Sequence, residues 1–174
     1  MPERKTLSRA QADKRAGKAP STQAGEFVKE EIDHVRSGKH GVRSAKQAVA
    51  IGLSKARRAG VALKSPKKGQ TSEATRKKAE KDVAAGQGKV KHSASTETKA
   101  KRSRTTESVL KRESAKGASH AEVSKQAKTA AAKRPAASRS AAAKKAAHTK
   151  GAAARSAAAK KAARTRAERA HARH

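Results

Sequence analysis

Large apolar residues are few along this chain and unevenly placed: of its 17 Val, Ile, Leu, Met and Phe residues, ten fall between positions 21 and 63. Their spacing there is helical. Val28, Ile32 and Val35 follow i, i+4, i+7 with Phe27 beside them. Glu26, Glu30, Glu31 and Asp33 crowd the first half of that segment, where the helix dipole favours anions. Ser21 or Thr22 offers an N-cap, and Gly38 and Gly41 an end. A second helix opens at Ser44, where Ser44-Ala45-Lys46-Gln47 fits the S-x-x-Q capping box. Ala45, Ala48, Val49, Gly52, Leu53 and Ala56 share one face, Lys46, Lys55, Arg57 and Arg58 lie off it, and Gly60 closes the helix. The pattern predicts an αα-hairpin with helices at about 22–37 and 44–59 and a contact face of Val28, Ile32, Val35, Val49 and Leu53.

Outside 21–63 the apolar pattern dissolves. Residues 1–20 read as a basic flexible arm, and residues 64–123 as a polar basic linker whose large apolar residues are Val83, Val90, Val109, Leu110 and Val123. Residues 124–174 read as an Ala/Lys/Arg-rich low-complexity tail with none. Ala makes up much of the 34% hydrophobic fraction. It has little side chain to bury against the roughly 1–2 kcal/mol of backbone entropy lost per ordered residue. With no Trp, no Tyr, one Phe and a net charge of +31, the composition is that of intrinsic disorder. The expected fold is therefore a mostly disordered chain carrying one short hairpin, with a tail of helical tendency. So small a hairpin is marginal by itself, so residues 21–63 are expected to form a homodimer or to dock on another partner.

The tail repeats itself. Arg139-Ser140-Ala141-Ala142-Ala143-Lys144-Lys145-Ala146-Ala147 recurs 16 residues later as Arg155-Ser156-Ala157-Ala158-Ala159-Lys160-Lys161-Ala162-Ala163. Ala, Lys and Arg are strong helix formers. A 16-residue period turns a helix by about 160°, so the basic residues spread around it and leave no apolar face for a membrane surface. The longest apolar run, Ala48–Leu53, is far shorter than the roughly 20 residues needed to span a bilayer, and no secretory-signal pattern opens the chain. No membrane partner is expected.

Charge then names the partner. Lys and Arg total 45 against 14 Asp and Glu. A chain this basic gains free energy by releasing counterions condensed on a phosphate backbone, with no base recognition required. The expected contacts are Lys133, Arg134, Arg139, Lys144, Lys145, Lys150, Arg155, Lys160, Lys161, Arg164 and Arg166 in the tail. Ser65-Pro66-Lys67-Lys68 joins them, as a turn presenting two cations to a narrow minor groove.

Two resemblances attach to these residues. The string from Ser44 through Ala48-Val49-Ala50-Ile51-Gly52-Leu53 to Gly60 resembles a family of small basic bacterial domains of uncharacterised function, over residues 26–63. It implies a short helical module and no activity. The Ala/Lys/Arg tail is similar to the tails of linker histones and of bacterial histone-like proteins, and Ser65-Pro66-Lys67-Lys68 to a turn repeated in linker-histone tails.

Other chemistry finds little support. Zero cysteine removes disulfides, thiolate metal sites and Cys nucleophiles. The seven His (34, 40, 92, 120, 148, 171 and 174) are scattered, and only His171 and His174 share a helical i, i+3 spacing. No metal, cofactor or catalytic residue is expected, and the chain does not read as an enzyme. Aromatic platforms for single-stranded RNA are missing, so DNA is favoured as partner and RNA left open. The expected function is sequence-tolerant, histone-like DNA binding that neutralises phosphate charge and condenses or bridges DNA in the cytoplasm, at the nucleoid. The alternatives are a hydrophilic stress-protection protein and a ribosome- or RNA-associated basic protein.

Overall fold

The computed structural model describes residues 2–89 and 98–171, and of Lys99 and Lys150 the backbone alone. Val90, His92 and His174 lie outside the described residues. Within them the chain is helical, in the order α1 (Arg4–Arg15), α2 (Pro20–Arg36), α3 (Ala45–Arg58), α4 (Glu73–Gly86), α5 (Lys99–Lys111), a short 3-10 turn (Ala115–Ala118), α6 (His120–Ala132) and α7 (Ala136–His171). An isolated bridge between Lys68 and Thr71 is the one β-type pairing among the described residues. The chain divides into two units, Met1–Gln126 and Ala127–His174, with the boundary inside α6.

The expectation of a mostly disordered chain is overturned: helices take up most of the described residues. Two physical reasons account for this. Ala/Lys/Arg sequence makes helix from local backbone bonds and good propensity, so α7 needs no core. In the N-terminal unit, alanine and glycine let helix backbones approach until they bury one another, and a tally of large side chains misses that burial.

Two small core clusters show it. Phe27 and Ala24 of α2, Ala10 of α1 and Ala56 of α3 are buried together, with Leu7, Leu53, Val61 and Leu63 packed against them. Val35, Val42, Ala48 and Ala118 form the second, with Ile32 and Ile51 against it. Thus α1, in the segment read as an arm, and the 3-10 turn, in the segment read as a linker, both contribute core residues. Helices α2 and α3 approach closely: a Cβ built on Gly52 would lie 2.6 Å from the Val28 Cα. The 110–118 segment is stitched to the α2–α3 loop by backbone bonds from Gly41 to Leu110 (2.9 Å) and from Val42 to Ser114 (3.0 Å). Arg36 adds a bond from Nε to the Ala118 carbonyl at 2.9 Å.

Helix ends depart from the sequence reading in detail. Neither Ser21 nor Thr22 caps α2; the helix starts one turn position earlier, with Pro20 at its head and Ala19 as N-cap. At α3, Ser44 Oγ does accept from the Gln47 amide (3.4 Å), but the Gln47 side chain returns to the Arg43 amide (2.9 Å), one residue before the cap.

Candidate nucleic-acid interface

The C-terminal unit is built around α7. Its sequence carries both repeats, and Gly151 stands between them with non-helical backbone angles (φ 68, ψ 165), so the element is two helical stretches joined at a bend. At about 100° per residue, Arg139, Lys144 and Lys145 point to three sides of the first stretch, and Arg155, Lys160 and Lys161 to three sides of the second. All six are exposed, as are Arg164 and Arg166, and Lys133 and Arg134 in the turn before α7. The side chain of Lys150 lies outside the described part.

From residue 127 to 171 the sequence holds 13 Lys and Arg against one acid, Glu168. That carboxylate accepts from Arg164 Nε at 2.9 Å. Arg155 Nε donates to the Gly151 carbonyl at the bend, at 3.2 Å. Thr149 and Thr165, equivalent in the repeat, return their hydroxyls to the carbonyls of Lys145 (2.9 Å) and Lys161 (3.0 Å). The result is two cationic helical stretches, each charged on three sides.

Ser65, Pro66, Lys67 and Lys68 belong to the other unit, in the connection from α3 to α4. Ser65 and Pro66 are half-buried, and Lys67 and Lys68 exposed. The turn that closes here lies two residues on: the Gln70 amide donates to the Lys67 carbonyl (3.2 Å) and Gln70 Oε1 accepts from the Lys67 amide (3.1 Å). Both lysines therefore sit on a turn, but one that Gln70 shapes rather than Pro66.

What sequence reasoning missed is where the acids go. Most of those described in the N-terminal unit face cations of the same chain. Asp82 accepts from Arg58 Nε at 2.7 Å and from Ser54 at 2.6 Å. Glu113 meets Arg43 at 3.1 Å, and Asp13 meets Lys18 at 2.6 Å. His34 and Lys39 bond Glu3 and pull its carboxyl down to about 2. Short-range pairs such as Glu107–Lys111 are visible in spacing. Pairs 24 to 70 residues apart, such as Arg58–Asp82 and Arg43–Glu113, are not. Neutralising the acids internally leaves the cationic excess to face water.

The hairpin face is occupied within the chain. Val35 is buried, and Val28, Ile32, Val49 and Leu53 are half-buried. Leu53 packs on the Phe27 cluster and Ile32 on the Val35 cluster.

The architecture is thus a small helical unit followed by a basic helical extension, and no described helix is long and apolar enough to cross a membrane. Residues 11–69 match a family of unknown function, DUF6496. The match takes in α1 from its middle, α2 and α3, a longer stretch than the 26–63 expected from the sequence string. No curated protein and no solved structure matches the chain.

Proposed function

We propose that this protein binds DNA with little regard for sequence, neutralising phosphate charge and condensing or bridging the duplex in a histone-like manner, as part of the nucleoid. The observation that carries this reading is the basic array on residues 127–171, thirteen Lys and Arg against Glu168 alone, of which the twelve with described side chains are all exposed. A helix with its side chains is about 10–12 Å across, close to the roughly 12 Å width of the major groove. Cations on three sides of each stretch suit a groove walled by phosphate on both sides. The likeness of the tail to linker-histone tails supports the same reading.

The test is the salt dependence of binding to short duplexes of unrelated sequence. Counterion release predicts that log K falls linearly with log salt, at about −0.9 per phosphate neutralised. Removing residues 127–174 should flatten the slope by several units. A slope that stays the same without them would overturn the proposal, and tighter binding to duplex RNA at matched salt would move it to RNA.

A further inference from the structure

Where α2 ends and the chain turns toward α3, Glu31, His34 and His40 bring their donor atoms together: one from each residue lies within 4.8 Å of the other two. Glu31 and His34 are one helical turn apart on α2, and His40 is carried back by the loop. The His40 Nε2 to Glu31 Oε1 distance is 3.3 Å. That is the ligand-to-ligand edge of a tetrahedral zinc centre, about 3.3–3.4 Å for bonds of about 2.0–2.1 Å.

The surroundings are those of a ligand set. His40 Nδ1 is held by the Gly41 carbonyl at 3.1 Å, which orients the ring and leaves Nε2 toward Glu31. His34 is paired through Nε2 to the Glu3 carboxylate at 2.8 Å. A backbone carbonyl or a carboxylate behind an imidazole is the usual support of a metal-bound histidine.

Charge gives an independent reason. The Glu31 side chain is 1% exposed, and neither of its oxygens accepts a hydrogen bond. Lys55 Nζ approaches Oε2 at 2.7 Å as an ion-pair contact, but it also serves Glu30, at 3.3 Å. Two buried carboxylates therefore share one ammonium, and Oε1 of Glu31 faces the histidines. A buried carboxylate short of partners is costly.

We propose that Glu31, through Oε1, and His34 and His40 bind a zinc(II) ion that clamps the α2–α3 loop to α2. Two imidazoles and a carboxylate suit zinc, whereas calcium and magnesium prefer all-oxygen sets. Lys55 keeps Oε2, and the fourth position falls to water.

The experiment titrates ZnCl2 into the full chain carrying His171→Ala and His174→Ala, so that the tail histidines cannot contribute, and repeats it with CoCl2 to read the visible bands of tetrahedral cobalt. One ion per chain is expected, with His40→Gln weakening zinc at least tenfold and abolishing the tetrahedral bands. His120→Ala should change neither. His40 lies on the loop, so His40→Gln should keep the helical spectrum; His34→Gln serves as a second variant should it not. Absence of saturable binding, or affinity and bands unchanged in both variants, would overturn the proposal.

Discussion

The backbone amide of Glu3 donates to the Glu30 carboxylate, 3.0 Å away and 27 residues on in the sequence. No side chain of α1 caps its own N-terminus. The cap comes from α2 instead, at the end of α1 where the helix dipole favours an anion. Glu30 also takes a bond from the Thr6 side chain and meets Lys55, so one carboxylate fastens α1, α2 and α3 together.

That fastening sets a pH dependence. Burial pushes the Glu30 carboxyl up, but the Thr6, Glu3 and Lys55 contacts outweigh it and hold it below its usual range. A carboxyl lowered on folding stabilises above its unfolded pKa of about 4.3, and the gain is lost as pH falls through the folded value. Glu30→Gln should cost about 1–3 kcal/mol at pH 7. Thermal melts in EDTA should show the gap between variant and wild type closing below about pH 4. A gap that persists at lower pH would mean that packing, not charge, is what Glu30 supplies.

Two glycine substitutions should move stability in opposite directions. Gly52→Ala places a methyl 2.6 Å from the Val28 Cα, backbone that cannot yield cheaply. Despite alanine's better helix propensity, it should destabilise by about 1–3 kcal/mol. Gly25, in α2, has nothing within 4 Å of a built Cβ. Gly25→Ala should stabilise by about 0.5–1 kcal/mol. Urea midpoints read both, and equal signs would refute the close-approach account.

Phe27 is fully buried and the largest side chain in its cluster. Phe27→Ala should cost about 3–5 kcal/mol, with hydrogen-exchange protection falling across α1, α2 and α3. Short-duplex affinity at low salt should stay within about twofold, because the proposed contacts lie on residues 127–171. A large loss of affinity would show that the N-terminal unit itself holds the nucleic acid.

The sequence made legible what repeats at a helical period. Val28, Ile32 and Val35, and the Ser44 cap, mark α2 and α3 to within about two residues. It hid what depends on partners far along the chain. Leu7 and Ala10 gave α1 no visible stripe, because two apolar positions make no period, yet both pack on the Phe27 cluster. Ala118, fully buried, sits in a segment whose composition is polar. The Arg and Lys side chains described in α7 needed no such context, since their exposure follows from composition alone.

Gly151 gives the basic extension a joint. Unbroken, the 36 residues of α7 would make a bar about 54 Å long, more than one roughly 34 Å turn of a duplex. Divided there, it becomes two arms of about 22 Å and 30 Å, each shorter than a turn. A stiff bar must leave a curving groove where the groove turns away. On the proposed DNA-binding reading, two jointed arms would each follow it or grip separate duplexes, so that binding would be governed by reach and articulation rather than by the shape of any one surface.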